Sequence, residues 1–389
     1  MTVNLSDVHV IDVDTHIIEP TDLWTSRLSG KWGDLVPHVA YDQDNDEDVW
    51  VIGDQAMMPA AMFAAVDHDD LMPEYPRRFA DVPASMWDPR ARLRVMDENH
   101  IHAQVIYPNL VGVFFAERFV SMHPALALAC VEAYNDFVTE FCSVDPDRLI
   151  GMTAVPFWDV DASVRELARG KEMGHRGLLF AHTFERVGLP NINDRHWDRL
   201  LAAAQDLEQS VNFHIGFAAA EATQSWVGYR TTSRQAIAAD APSQFLSNVR
   251  AMSLLTTYGV CERFPRLKFV CVESGFGYVP FVLQAVEWHW ENNGVWREHP
   301  HWLRPIDYFK RQMYATFWFE QPAVEHLEEY RDNVMWETDF PHPSAQWPTA
   351  ATPAPKTAAD AVAYSLGGVS EATRRKVLHD TAATVYHLR

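Results

Sequence analysis

Three segments of the chain place carboxylate or imidazole side chains directly after a predicted strand. The first strand ends in a D-x-H motif, and the side chains of Asp14 and His16 share one face because alternate residues of an extended segment point the same way. A later strand ends at His214, and the last strand leads to Asp339. Carboxylate and imidazole ligands together suit one divalent ion such as zinc or manganese.

Each of these residues also has a purely structural interpretation. Asp14 can cap the turn after its strand, and His214 can be a hydrogen-bonded core histidine. Asp339 can form the turn that leads into Pro341. The metal hypothesis depends on the combination, because each residue lies at the carboxyl end of a different strand and such ends converge in a parallel barrel.

The elements that position these residues follow a regular βα alternation. Eight β-type runs are predicted at Val8–Val13, Ala103–Tyr107, Leu149–Val155, Gly177–Phe180, Val211–His214, Leu267–Val272, Met313–Phe317 and Asn333–Trp336. Helical patterns between them predict a parallel sheet, and eight strands favour a closed (β/α)₈ TIM-type barrel over an open doubly wound sheet. We expect residues 1–389 to form one such barrel.

Two stretches depart from the simple repeat. Residues 17–100 form a long insertion after the first strand, and within it Val39–Ile52 reads as a hairpin with an acidic turn at Asp42–Asp48. We interpret this insertion as a lid over the barrel mouth. A second long loop is predicted at about Gly216–Ser247, after the fifth strand.

The composition is that of an ordinary globular enzyme with an acidic surface. Hydrophobic residues make up 48% and charged residues 22% of the 389, and the formal net charge of −21 disfavours nucleic acid and anionic membranes as partners. No signal peptide and no apolar run of roughly 18 residues is visible, so a membrane span is not expected. The four cysteines form no C-x-x-C pair, which favours core positions in a reducing cytoplasm.

Motifs along nearly the whole chain resemble the amidohydrolase superfamily, in its amidohydrolase-2 branch of aminocarboxymuconate semialdehyde decarboxylase-like enzymes. The resemblance is carried by Val10–Pro20, Asp88–Leu93, Gln104–Asn109, Asp147–Gly151, Thr338–His342 and His379–Tyr386. It implies one bound divalent metal ion, zinc or manganese, and a small-molecule substrate. It also implies a homo-oligomer.

The resemblance assigns roles to particular residues. The metal ligands are Asp14, in place of a more usual histidine, and His16, His214 and Asp339. Asp339 also moves a proton to and from the substrate. The sequence departs from the common pattern after the sixth strand, where Glu273 stands in the place of a histidine. A glutamate there can act as base, as proton donor or as a further ligand, or it can simply hydrogen-bond a neighbouring loop.

Catalytic roles therefore fall on Asp339, Glu273 and His214, and four further residues are substrate-binding candidates. These candidates are His182, Trp226, Arg230 and Phe317. Aromatic residues near the mouth, Phe63 and Phe114 among them, suit an apolar pocket for a ring, and Arg230 suits a substrate carboxylate. His342 either supports Asp339 or caps its turn.

The leading functional hypothesis is metal-dependent nonoxidative decarboxylation of an aromatic or unsaturated carboxylic acid. The alternative keeps the same site and makes the protein a hydrolase of an amide, ester or lactone, with Asp339 as the base. A third hypothesis, a binding protein without catalysis, requires the candidate ligands to coincide by chance.

Overall fold

A computed structural model describes residues 5, 8–28, 30–53, 55–216, 233–347 and 357–388. The strands are β1 (Val10–His16), β2 (His38–Asp42), β3 (Glu47–Ile52), β4 (Gln55–Pro59), β5 (Ile101–Tyr107), β6 (Leu149–Gly151), β7 (Thr153–Ala154), β8 (Gly177–Phe180), β9 (Ser210–His214), β10 (Phe269–Val272), β11 (Met313–Phe317) and β12 (Val334–Trp336). All but β2, β3 and β4 pair in parallel.

The parallel strands follow one another around a barrel. β1, β5 and β6 are neighbours, and β7 to β12 form a second run in chain order. β6 and β7 are one strand interrupted at Met152, so the barrel has eight strands. The ring closes where the amide of Asp339 donates to the Asp14 carbonyl (2.9 Å) and the amide of His16 donates to the Phe340 carbonyl (2.6 Å). The predicted (β/α)₈ barrel is confirmed.

Helices connect the strands and cover the barrel. They are α1 (Pro89–Glu98), α2 (Ala116–Ser121), α3 (Pro124–Cys142), α4 (Val160–Glu172), α5 (Asp198–Asp206), α6 (Arg234–Phe245), α7 (Asn248–Thr257), α8 (Val260–Arg263), α9 (Val279–Asn292), α10 (Val295–Glu298), α11 (Pro305–Gln312), α12 (Leu327–Tyr330), α13 (Ala358–Leu366), α14 (Glu371–Arg375) and α15 (Thr381–Tyr386). A π-helical turn, Lys376–Asp380, joins α14 to α15. None of the described helices is long and apolar enough to cross a bilayer.

The segment between β1 and β5 contains the predicted hairpin. β2 and β3 pair antiparallel around the acidic turn, and β4 adds a third strand to this small sheet. The chain that leaves the sheet reaches the site, because the amide of Ala65 donates to the carbonyl of Pro341 (3.0 Å). α1, at the end of the segment, packs on β5 as a barrel helix. That residues 17–100 act as a lid stays a prediction.

The loop predicted at Gly216–Ser247 is wrong in its second half, where α6 lies. The side chain of Ser233 caps this helix by accepting from the amide of Ala236, and the alanine-rich sequence that follows favours helix. Residues 217–232, which include Trp226 and Arg230, lie outside the described residues. The cysteines are free and buried, as expected for core residues.

Candidate metal centre

The ends of β1 and β9 bring three candidate ligands together. His214 Nε2 lies 3.3 Å from Asp14 Oδ1 and 3.1 Å from His16 Nε2. His16 Nε2 in turn lies 3.5 Å from Asp14 Oδ1 and 3.7 Å from Asp339 Oδ1, which belongs to the turn after β12. All four side chains are buried. The residues that the sequence predicted as ligands therefore meet at one point of the barrel mouth.

Backbone carbonyls orient both histidine rings. His16 Nδ1 donates to the carbonyl of Pro108 (2.9 Å), and His214 Nδ1 donates to the carbonyl of Ile215 (2.8 Å). This leaves the lone pair of each Nε2 facing the cluster, which is the arrangement by which outer hydrogen bonds prepare histidines for a metal. Two such lone pairs 3.1 Å apart repel each other, so the two Nε2 atoms need either a metal ion near both or a proton on one of them.

The buried carboxylates also fit a divalent cation. Asp14 Oδ2 accepts no hydrogen bond, and Asp339 Oδ1 lies 3.0 Å from His342 Nδ1 without hydrogen-bond geometry. Within the described residues, no lysine or arginine forms an ion pair with either aspartate. Buried carboxylates without a counter-charge are costly, and a dication offsets that cost. The donor set of carboxylate oxygens and imidazole nitrogens suits a single such ion.

Glu273 joins the same cluster. Its Oε2 lies 3.4 Å from His214 Nδ1. Two overlapping sets of possible ligands, each with atoms within 4.8 Å of one another, both contain Glu273: one adds Asp14, His16 and His214, and the other adds His16, Asp339 and His342. Glu273 and Asp339 have positive φ angles, 53° and 61°. Such backbone conformations are uncommon for residues other than glycine and concentrate at functional sites.

His342 contributes more to the site than its sequence position indicated. Its ring stacks on His16 with centroids 3.8 Å apart, and its Nε2 donates to Asn109 Oδ1 (2.7 Å). The ring centroid of Phe63 lies 4.7 Å from that of His342, and the ring centroid of Phe114 lies 5.0 Å from that of His214. The signal for His342 was its place three residues after Asp339, while its partner Asn109 is 233 residues away and could only be found in three dimensions.

Burial and mutual repulsion change the pKa values of the acids. Burial raises the pKa of Asp339 well above its usual value, and the charge of Asp14 adds to this. Burial likewise raises the pKa of Glu273, together with the charge of Asp339. Burial and repulsion therefore favour a proton on one of these two carboxyls. Burial lowers the pKa of His214, but the charge and hydrogen bond of Asp14, the charge of Glu273 and the hydrogen bond to Ile215 together outweigh it, so that the pKa rises to about 9.

The structure says less about the four residues predicted to bind substrate. His182 follows β8, is buried, and its Nδ1 has no hydrogen-bond partner. Phe317 is buried at the end of β11, where its carbonyl accepts from the amide of Glu337. Substrate binding by His182, Trp226, Arg230 and Phe317 stays a prediction.

Comparison with known proteins identifies relatives along most of the chain. The gamma-resorcylate decarboxylase of Rhodococcus jostii (strain RHA1) is 24% identical over 335 residues, which cover 79% of this chain and 92% of the relative. The 2-amino-3-carboxymuconate-6-semialdehyde decarboxylase of Dictyostelium discoideum is 24% identical over 277 residues, covering 68% and 70% of the two chains.

Solved structures share the fold. An amidohydrolase from Mycobacterium avium subsp. paratuberculosis K-10 superposes with a TM-score of 0.76 at 21% identity, over 98% of this chain and 99% of the other. A dihydroxybenzoic acid decarboxylase from Polaromonas sp. JS666, solved with manganese and the inhibitor 2-nitroresorcinol, gives 0.61 at 19% identity over 97% of each chain. The model of the amidohydrolase family Amidohydro_2 matches residues 11–388. The chain therefore belongs to this family, in the branch of aminocarboxymuconate semialdehyde decarboxylase-like enzymes.

Proposed function

We propose that this protein is a metal-dependent decarboxylase that removes CO₂, without oxidation, from an aromatic or unsaturated carboxylic acid. The observation that carries the proposal is the buried acid pair Glu273 and Asp339 beside His214, because burial and the mutual repulsion of such a pair favour a proton held between them. The relatives support it, since those in R. jostii and D. discoideum are decarboxylases of unsaturated or aromatic acids.

Asp14, His16, His214 and Asp339 hold the metal ion in this proposal. Manganese is the preferred candidate, since the related Polaromonas structure was solved with it, and zinc is the second. When bound, the ion acts as a Lewis acid and holds the substrate in register with the acid pair. The orphaned Asp14 Oδ2 supports this ligand set.

The chain's own residues carry the proton. Asp339, or Glu273 through it, delivers a proton to the ring carbon that bears the carboxylate. The bond from that carbon to the carboxylate then breaks, its electron pair restores the unsaturated system, and CO₂ leaves. The spent carboxyl is reprotonated from solvent, so that one proton is consumed for each CO₂ released. Burial and the charge of the neighbouring Asp14 raise the pKa of Asp339, which suits it to act as the acid.

An aromatic substrate fits the walls of the site. The rings of Phe63 and Phe114 lie beside the rings of His342, His16 and His214, which surrounds the ligand atoms with aromatic side chains. His182 and Phe317 complete the substrate pocket in our proposal, together with Trp226, and Arg230 binds the substrate's carboxylate.

Hydrolysis of an amide, ester or lactone is the second candidate reaction for the same residues. It requires a carboxylate that accepts a proton from water, whereas burial and charge favour protonated forms of Asp339 and Glu273. The named activities of the relatives also favour decarboxylation. We therefore place the decarboxylase first.

The reaction is tested by measuring CO₂ release with a panel of hydroxybenzoates and carboxyvanillates, and acid release with matched aryl esters and amides. The same assays on chelator-stripped and manganese-reloaded protein separate metal-dependent turnover from background. We expect CO₂ release that returns with manganese. Acid release from esters or amides with no CO₂ from any carboxylic acid would contradict the proposal.

We further propose that the chain forms homodimers in the cytoplasm through an aromatic face, defined as Phe281, Trp288 and Tyr258. Their side chains are 72%, 67% and 58% exposed, and together with half-exposed Trp296 they present roughly 500 Å² of aromatic surface, a large share of the ~800 Å² that each partner contributes to a stable interface. A patch of this size is among the larger ones that monomers expose, and such patches are often functional.

The helix that carries the face is self-complementary. On α9, Ala285 lies between Phe281 and Trp288, so an antiparallel crossing of two copies at Ala285 sets the phenylalanine of each against the tryptophan of the other. The acidic side chains of α9, Glu287 and Glu291, both pair with Arg304 of their own chain, which offsets one of their two charges and so reduces the repulsion of a second copy.

Light scattering after size exclusion tests this interface. We expect twice the chain mass of 44.4 kDa for the wild type and the chain mass for Phe281→Glu combined with Trp288→Glu. Tyr364→Glu, at a 59% exposed aromatic residue on α13, is the matched control and should remain dimeric. A wild-type monomer at micromolar concentration, or a dimeric double variant, would exclude this face.

A further inference from the structure

A buried acid lies beneath the candidate ligands and is not explained by metal binding or by the proton step. Glu337 follows β12, two residues before Asp339, and is completely buried. Its Oε2 accepts a hydrogen bond from the backbone amide of Glu273 at 3.2 Å, across 64 residues of sequence. This bond joins the exit of the eighth barrel strand to the exit of the sixth.

The amide that Glu337 holds belongs to a residue in an unfavourable conformation. Glu273 has a φ of 53°, in the left-handed region, which costs a residue with a Cβ about 1–2 kcal/mol. With this conformation the chain turns after β10, and Glu273 Oε2 lies 3.4 Å from His214 Nδ1. A restraint on the backbone is therefore needed at Glu273 itself.

We infer that Glu337 is a positioning residue, whose carboxyl holds the Glu273 backbone in the left-handed conformation that directs the Glu273 side chain toward His214 and Asp339. The effect on turnover rests on the proposed function. The effect on the backbone does not, because the hydrogen bond exists without substrate.

The turn after β12 supports this inference, because it is built in the same way. Asp12, also buried, accepts from the amide and the hydroxyl of Thr338 at 2.9 and 2.6 Å. The next residue, Asp339, has the second positive φ at the site, 61°. In both turns a buried carboxyl from another strand holds the backbone at, or directly before, the strained acidic residue.

Backbone exchange measures the restraint directly. The full chain, loaded with manganese, is compared by hydrogen–deuterium exchange with single-residue resolution as wild type, Glu337→Gln and Glu337→Met. Glutamine retains an acceptor oxygen, whereas methionine has a similar length and none. We expect the Glu273 amide to exchange about tenfold faster or more in Glu337→Met, the factor of one lost hydrogen bond, and at the wild-type rate in Glu337→Gln.

Glu320, which follows β11, offers a matched control because it binds other amides of the loop after β10. Its Oε1 accepts from the amides of Phe276 and Gly277, so Glu320→Met should free Phe276 and leave Glu273 protected. If both methionine variants expose Glu273 equally, or if Glu337→Met leaves its exchange unchanged, Glu337 is not the restraint. Should Glu337→Met fail to fold, Glu337→Asp, which is one methylene too short, replaces it with the same expected result.

Kinetics then show whether the restraint serves the reaction. We expect Glu337→Met to lower kcat about tenfold with KM little changed, Glu337→Gln to restore it, and no additional loss when Glu273→Gln is already present. If the fold-losses in kcat of Glu337→Met and Glu273→Gln multiply in the double variant, Glu337 does not act through Glu273. If no substrate is turned over at all, the proposed function fails while the exchange result still decides the positioning role.

Discussion

The turns after β10 and β12 both place a strained acidic residue at the candidate metal centre. They differ in the number of hydrogen bonds that restrain this residue. Asp339 follows a residue that Asp12 binds twice, its own amide donates to the Asp14 carbonyl (2.9 Å), and Ser344 donates to its carboxylate. Glu273 is held at its amide by Glu337 alone, at 3.2 Å.

The difference separates the roles of the two acids. A metal ligand must stay in place, because its oxygen has to remain at coordinating distance whatever the substrate does. A proton carrier must be able to adjust as charge develops. The firmly held Asp339 therefore suits ligation and delivery of a proton at one fixed position, and the more weakly held Glu273 suits the relay of a proton to Asp339.

Loss of the firmly held acid should have the largest effect. Asp339→Asn keeps the shape but removes both a ligand and the acid, so we expect kcat to fall by about 10³-fold or more and manganese affinity to fall with it. Steady-state kinetics and manganese titration check this. Retention of both values would show that Asp339 is only a turn residue.

Glu273→Gln should have a smaller effect that leaves the metal in place. We expect kcat to fall about 10²-fold, with manganese binding close to that of the wild type, because proton transfer is lost while the ligand set remains. The kinetics and the titration are repeated on this variant. A loss of manganese equal to that of Asp339→Asn would make Glu273 a ligand and remove the distinction between the turns.

The two buried anchors should differ in their effect on stability. Asp12→Ala leaves the amide and hydroxyl of Thr338 unpaired, so we expect the free energy of unfolding to fall by about 2–4 kcal/mol. Glu337→Met frees one amide and removes a buried carboxyl whose pKa burial raises well above its usual value, so its loss of stability should be about 1 kcal/mol or less. Urea denaturation compares them, and equal losses would contradict the unequal restraint.

Glu19 is a third buried carboxyl that binds the backbone of a turn, here the turn after β5. We expect its replacement to have the smallest effect, a change in how stability depends on pH. Glu19 accepts from the amides of Asn109 (2.6 Å) and Leu110 (3.1 Å), and burial raises its pKa to about 7 against these bonds. In the unfolded chain the pKa is about 4.3, so unfolding releases a proton and stability falls as pH rises from about 4.3 to about 7.

Glu19→Gln keeps an acceptor and removes the titration. Calorimetry at pH 5 and pH 8 should therefore show a smaller drop in Tm for Glu19→Gln than for the wild type. An equal drop in both proteins would place the titration elsewhere.

The sequence was sufficient for the parts of the molecule that local pattern determines. The apolar runs at Gly177–Phe180 and Met313–Phe317 are strands with the predicted bounds. The first strand was predicted to end at Val13, whereas it continues to His16, because Thr15 and His16 still pair with β5 although these polar residues carry no apolar signal. The convergence of Asp14, His16, His214 and Asp339 followed from the strand ends that meet in a barrel.

The supports of the site were not accessible in this way. The contact between Glu337 and the Glu273 amide and that between His342 and Asn109 join residues far apart in the chain. No sequence pattern identifies a buried acid that hydrogen-bonds the backbone of a neighbouring turn. From the sequence alone, Glu337 is an ordinary residue after a strand. Such contacts depend on the register of the closed barrel.

Metal binding tests the central claim most directly. The wild type, His214→Ala and the control His175→Gln, at a buried histidine that hydrogen-bonds Thr139 and Thr153 away from the site, are stripped with chelator, reloaded with manganese and analysed for bound metal. We predict about one ion per chain in the wild type and the control, and less than about a tenth of that in His214→Ala. A wild type that binds no metal, or a His214→Ala variant that keeps a full equivalent, would contradict the account.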